Sequence, residues 1–577
     1  MKKTIALIMS LVFIVALFAG CGDNGDNGGS DNGGNANNNG TVTPDAGEDS
    51  PYNFAVGKYE TDEEGNPTAA YDYELPLSTT DETFSYWLTI YTPQYIADAG
   101  FGSMEYPTMM KEQTGVNLEY VTISADARQE NLAVLLASDD LCDIMAQANF
   151  FYPGSMREAI DDEFFVNIYA YQEYCPNHFY QVDSRNDVDV NSTVYVDPET
   201  VAVFWGLLAE PMPSDGYCVR KDWLDELGIE DYSSIDTIDE VHDVLTRFKN
   251  ELNVAWPAEI FYTIELTNGH SFPAFNTSSL VRFNFLPYTR VVDGEVQFAQ
   301  TTEDDLTLIT MLNQWFSEGL IDPNYASYTS TNDMSQRITN SETGYVVFSP
   351  SEIDNWLAST TDPDAEWVAL PRAKKSETET IKYGQNVSQT TYGSAMVSAT
   401  CDNIPLVLTY IDYLYSPEGS LASSWGPEGL VWEYDENGNR MLTDFILKSD
   451  MGSAWALMIY ACDAGLAEPG MLWNNRTYAY EGGEKLQAMH NAWAVDGYKG
   501  EYDFPASLTF TDEQNEIVYT YSNEITTYIN ENYMAFLDGS KPLTEWDSYV
   551  KGIYDLGLQE EIDVYQEAYD TFMAENA

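Results

Sequence analysis

Apolar and polar positions alternate in blocks whose period switches between that of a strand and that of a helix. SYWLTIYT (85–92) predicts a first strand, EYPTMMKEQTG a short helix closed by Gly115, and VNLEYVTI a second strand, so the opening unit is β-α-β. ARQENLAVLLASDD then places Leu132, Leu135 and Leu136 at helical spacing, and CDIMAQ predicts a short apolar strand ending in polar and aromatic residues. In an open α/β sheet the loop after such a strand is where ligands collect. Further along, Thr237 and Glu240 have capping-box spacing before VHDVLTRFK, and Leu306, Ile309, Leu312, Trp315 and Phe316 form an apolar helical face ending at Gly319. YDENGNRMLT and VVDGEVQF place Asn-Gly and Asp-Gly between strand-like flanks and predict hairpins. The alternation as a whole predicts an α/β layered fold.

The N-terminus follows different rules. Lys2 and Lys3 precede an apolar run from Ile5 to Phe18, the charged and hydrophobic regions of an export signal, too short to span a bilayer comfortably. Residues 22–40 are seven Gly, seven Asn, three Asp, one Ser and one Ala, a composition that cannot bury a core and predicts a tether. As a random coil, the stretch from residue 22 to about 52 spans roughly 30 Å.

Composition narrows the partners. With 577 residues, 44% of them hydrophobic, the chain can bury a large core, and 25 Lys plus Arg against 94 Asp plus Glu give a formal charge of −69. That field repels nucleic acid and basic-patch docking onto anionic lipid, so attachment to a membrane requires a covalent or apolar anchor. Cys142, Cys175, Cys218, Cys401 and Cys462 lack CxxC or metal spacing and read as small buried thiols. The four histidines fall in no metal-ligand spacing, and neither G-x-S-x-G nor a phosphate-binding loop occurs. DENGNR begins like a calcium loop, but Gly438 comes too early and the twelfth position is not acidic. No metal or cofactor is therefore assigned, and the chain is read as a binding protein rather than an enzyme.

Several blocks carry a family resemblance. LFAGC (17–21) resembles the lipobox of bacterial lipoproteins, which implies cleavage after a signal peptide of residues 1–20 and acylation of Cys21, with 21–52 as the lipid-anchored linker. TGVNLEYVTISADARQENLAVLLASDDLCDIM, GYCVRKDWLDELGI, WFSEGLIDPNY, VSATCDNIPLVLTYIDYLYSPEGSLASSWGPEGLVWEY and the C-terminal FLDGSKPLTEWDSYVKGIYDLGLQEEIDVYQEAYDTF resemble, in order, the extracellular solute-binding proteins (family 1) of carbohydrate ABC transporters, large lipoprotein type of Gram-positive bacteria. The resemblance implies a periplasmic-binding-protein-like fold (class II): two α/β lobes joined by hinge crossings and closing on a sugar. The expected N-lobe is about 84–208 plus 391–424 and the C-lobe about 215–390 plus 430–577, with crossings near Glu210, Ser394 and Trp425. It further implies a monomer on the extracellular face of the cell membrane, with an oligosaccharide ligand and an ABC permease as partners.

A sugar presents hydroxyls and apolar ring faces, so its site needs planar polar groups and aromatic surfaces. By that resemblance the loop AQANFFYP offers Asn149, Phe150 and Tyr152. The first crossing offers Trp205, Glu210, Tyr217 and Arg220, whose planar fork suits paired hydroxyls. GYVVFSPSEIDNW offers Phe348 or Trp356, and SSWGPEGLVW offers Trp425 and Glu428. The alternatives are a surface glycan-active enzyme and a sensory or adhesion lipoprotein on the same fold.

Overall fold

The computed structural model describes residues 50–575 apart from 63–64, 91–92, 186, 211–212, 214–215, 260–272, 278–288, 328–330, 349–356, 358, 384–388, 462–467, 496, 506–507 and 509. The expected signal peptide, Cys21 and nearly all of the linker lie outside the described residues, as does Cys462. Cys142, Cys175, Cys218 and Cys401 are free thiols, the last three buried.

The strands that frame the fold are β1 (Thr83–Thr89), β2 (Asn117–Ile123), β3 (Ile144–Ala146), β4 (Phe204–Leu208), β5 (Gly216–Arg220), β6 (Tyr345–Phe348), β7 (Trp367–Ala369), β8 (Thr390–Val397) and β9 (Gly470–Leu472). Two sheets result. The first has the order β9-β4-β8-β3-β1-β2, with β1 parallel to β2 and β3, β8 antiparallel to β3 and β4, and β9 parallel to β4. The second is antiparallel, β6-β5-β7.

Period-two alternation explains why the first sheet is buried on both faces. Tyr86, Leu88, Ile144, Ala146, Ala395 and Val397 join one core, while Trp87, Met145 and Met396 join the core on the opposite face. The predicted helix appears as Glu105–Thr114 and ends at Gly115 with φ 72°, where a Cβ would collide with the Ser78 carbonyl. The N-terminal strap of the described chain is tied down here too: the Tyr71 N–H donates to Asn177 Oδ1 at 2.8 Å and the Tyr73 hydroxyl to Asp412 Oδ2 at 2.7 Å.

The second sheet lies against a separate core built by helices Ile238–Asn250, Glu303–Ser317, Asp512–Leu537, Trp546–Asp555 and Leu558–Glu575. The capping box is formed, with Thr237 Oγ1 accepting from the Glu240 N–H and Glu240 Oε2 accepting from the Thr237 N–H. On Glu303–Ser317, Leu308, Ile309, Leu312 and Trp315 are buried as the helical period demands, and both Asn-Gly and Asp-Gly hairpins are present.

One boundary differs from the sequence expectation. Residues 430–461 and 468–472, expected with the second lobe, belong with the first sheet: β9 pairs with β4, and Trp425, Val431, Trp432, Ile446 and Leu457 form one small core. The chain leaves this region for the second sheet only after Ala479, rather than near Trp425: Trp473 still bonds Ser420, and Met489 and Trp493 then pack on the second sheet. The apolar face of 453–460 packs on that small core through Ala456 and Leu457 and on the core of the first sheet through Ile459.

Candidate functional site

The site is assembled where β3 stops. Gln147 follows Ala146 with φ 60° and ψ 14°, a left-handed conformation unusual for a residue with a side chain. It is held there by two bonds: its N–H donates to the Ser394 carbonyl at 2.8 Å, and Arg128 Nη1 donates to its Oε1 at 3.2 Å. The chain reversal swings the short turn Ala148–Phe150 over the edge of the sheet. Asn149 Oδ1 accepts from Ser394 Oγ at 2.7 Å, and no described residue accepts from the Asn149 amide nitrogen.

Ser394 in β8 stands directly opposite Trp205 in β4. Three strands thus bring Asn149, Ser394 and Trp205 into one row. The Phe150 ring, 43% exposed, meets the Trp205 ring edge-on with centroids 5.6 Å apart and planes at 81°. Trp205 Nε1 is itself shielded from solvent, and among the described residues nothing accepts its hydrogen. A buried donor in that state costs about 1 to 3 kcal/mol until water or a ligand supplies an acceptor. The arrangement therefore offers an apolar ring face, an indole donor and an amide within one patch.

A separate groove of about 1050 Å³ opens between residues 191–198 and the C-terminal helices, and none of Asn149, Phe150 and Trp205 lines it. Asn191, Tyr195 and Asp197 line one wall, and Gln514, Ile517 and Phe572 the other. An ion pair from Arg157 to Asp197 ties that first wall to the helix Met156–Asp161, which begins just after the Phe150 turn. Asn191 Oδ1 is buried without a described partner, a second unsatisfied polar atom facing this region. Gln147, Asn191, Tyr195 and Ser394 were not singled out as ligand contacts from sequence, because single polar residues inside apolar strands and helices carry no periodic signal.

Of the expected site residues, Asn149, Phe150 and Trp205 come together, and Glu210 lies exposed just past β4. Others are corrected. Tyr152 turns away and packs edge-on against Phe164 and Phe165 at 6.3 and 6.2 Å, where burial pushes its phenol up. Tyr217 is buried and stacked on Tyr345 at 4.5 Å. Arg220 is fully buried: it donates to Asp222 Oδ1 at 2.8 Å, Ser341 Oγ at 2.8 Å and Asp362 Oδ2 at 2.7 Å, and its guanidinium lies 4.5 Å over Trp223. Its three nitrogens are all engaged inside the protein, and it has no exposed surface to offer a sugar. Trp425 is buried against Trp432 at 6.1 Å under the Arg440 guanidinium, and Glu428 is exposed in the adjoining turn. The Phe348 backbone pairs with Gly216 in the second sheet; Trp356 lies outside the described residues.

Comparison with solved structures bears on the fold. An extracellular solute-binding protein from Bifidobacterium longum subsp. infantis superposes with TM-score 0.64 at 16% identity, over 89% of this chain and all of that one (100%). A second protein of that organism, an HMO-binding, ABC-transporter-associated solute-binding protein, gives TM-score 0.63 at 18% identity over 85% of this chain and 98% of its own. The chain has the periplasmic-binding-protein-like fold of solute-binding proteins. No family model matches it. Among curated proteins, FusA of Streptococcus pneumoniae, a fructooligosaccharide ABC transporter substrate-binding protein, is 21% identical over 506 residues, 81% of this chain and 86% of FusA. The structure of FusA with kestose matches at TM-score 0.55 and 18% identity, over 85% of this chain and 100% of that one.

Proposed function

We propose that this protein captures an extracellular oligosaccharide and delivers it to a membrane ABC permease. The observation that carries the reading is the Phe150 ring, 43% exposed and met edge-on by Trp205, whose indole N–H has no acceptor among the described residues. A sugar ring satisfies both at once, laying its apolar face on Phe150 and an oxygen against Trp205 Nε1. FusA, a fructooligosaccharide ABC transporter substrate-binding protein, aligns over most of both chains and supports the same ligand class. Capture, not turnover, is the reading, since the gathered groups are an amide, a hydroxyl and an indole, suited to holding hydroxyls in place. Incubation with oligosaccharides, followed by mass analysis, tests this: a thermal shift with unchanged sugar mass is expected, and accumulating fragments would identify an enzyme.

The same reading places the protein on the outer face of the cell membrane as a monomer, anchored through acylated Cys21, with residues 22–52 as the tether. Cys21→Ala is expected to release the protein into the medium or block its processing. A variant that stays in the membrane fraction like wild type would contradict the anchor.

A further inference from the structure

β1 and β3 are adjacent parallel strands, so the segments leaving them emerge side by side along one edge of the sheet, about 4.8 Å apart at the strands themselves. The turn after β3 carries Phe150. The turn after β1, Pro93–Tyr95, carries Tyr95, which is 37% exposed. Beyond it lies a separate hollow of about 410 Å³, lined by Tyr95, Phe445, Tyr460, Asp444, Lys448 and Ser449 among others. Its size falls within the range of small-molecule pockets.

The hollow repeats the geometry of the first site. Phe445 is 45% exposed and its ring is held edge-on by Tyr460, with centroids 4.8 Å apart and planes at 69°. The core does not need this ring, because Ile446 is the buried residue of the short helix Asp444–Leu447. At the rim, Lys448 Nζ donates to Asp444 Oδ2 at 2.7 Å, with both side chains about three-quarters exposed at 73% and 74%. Such an exposed pair adds little to stability, which leaves both groups open to exchange with sugar hydroxyls.

We infer that this hollow is an outer subsite for a further ring of the same oligosaccharide, an inference that rests on the function proposed above. An aromatic face with a hydroxyl, an ammonium and a carboxylate at its edge matches the mixed apolar and polar surface of a neutral sugar ring. The ligand then runs along the strand ends, from Phe150 toward Phe445, and its length is read by the outer ring.

The test is calorimetry with fructo-, malto-, manno- and human milk oligosaccharides, each series graded from disaccharide to hexasaccharide. Wild type is compared with Phe445→Ala, Phe445→Tyr and Phe150→Ala, with melting curves confirming that each variant is folded. In the series that binds, wild-type affinity is expected to rise with length. Phe445→Ala should lose about tenfold on the longest member and nothing on the shortest, Phe445→Tyr should retain the gain, and Phe150→Ala should weaken every length. Phe445→Ala matching wild type at every length, or losing equally at every length, would overturn the subsite and leave the proposed function standing. Failure of every series to bind wild type would overturn both.

Discussion

Phe150 and Trp205 meet edge-on at 5.6 Å, from the end of one strand and the body of another, and only Phe150 retains substantial exposure. The pair separates two tasks: Trp205 fixes the ring's orientation, and Phe150 presents it. Removing the presented ring should therefore affect ligand more than fold. Phe150→Ala is expected to weaken oligosaccharide binding about tenfold, from lost apolar contact of roughly 25 cal/mol per Å², with little change in melting temperature. Equal affinity of variant and wild type in calorimetry would remove Phe150 from the site.

Trp205→Phe isolates the indole donor. It keeps an aromatic ring beneath Phe150 and deletes Nε1, which no described residue uses. Because no described partner is stranded, stability should hold, while affinity falls about 2- to 12-fold, the worth of one neutral hydrogen bond. A stability loss without an affinity loss would show that Nε1 serves the fold through bound water instead.

Binding of a neutral sugar should be nearly indifferent to 0.5 M salt, despite the formal charge of −69. A steep fall in affinity with salt would point to a charged ligand.

Arg220 is expected to matter for stability alone. Arg220→Met leaves Asp222 and Asp362 without their cation, and the expected cost is about 3 kcal/mol, the low end for a broken buried pair, since those acids keep 22% and 29% exposure. Ligand affinity of the folded variant should be unchanged. Denaturant titration and calorimetry separate the two effects, and a specific affinity loss would return Arg220 to the site.

His178 supplies a pH dependence. It is fully buried among Phe179, Phe204 and Tyr415, neither ring nitrogen has a described partner, and burial drives its pKa down to about 3. The unfolded chain takes up a proton near pH 6.5 that the folded one refuses, so this contribution to stability is present above that pH and is lost as pH falls toward 3. Asp412 accepts from the His178 N–H at 2.7 Å, and burial raises it to about 7; its contribution has the opposite sign, present at low pH and lost as pH rises through about 7. Comparison with His178→Leu isolates the imidazole. Between about pH 6 and pH 4 the wild type should lose about 1.4 kcal/mol per pH unit relative to the variant. Parallel stability curves would contradict this.

Local patterns made much of the fold legible. The β-α-β start, the Thr237 and Glu240 capping box and both hairpins are set by residues within a few positions of one another, and all are present. Strand ends in α/β sheets are where ligands gather, and the position of Asn149 and Phe150 just past a strand end was legible from the short apolar strand before them. Tyr217, Arg220 and Trp425 were not, since an aromatic or arginine near a crossing looks the same whether it faces a cleft or a core. Their partners, Tyr345, Asp362 and Trp432, decide the matter, and the first two are distant in sequence. For the same reason the affiliation of 430–461 and 468–472 is not legible in local spacing: the pairing of Gly470 with Gly206 joins strands more than 260 residues apart.

The most direct measurement of the central claim is isothermal titration of the wild-type protein with kestose and with longer neutral oligosaccharides. Saturable one-to-one binding of at least one of them is expected, abolished or weakened about tenfold by Phe150→Ala. Absence of binding across neutral oligosaccharides, together with saturable and salt-sensitive binding of a charged peptide or acidic sugar, would contradict it.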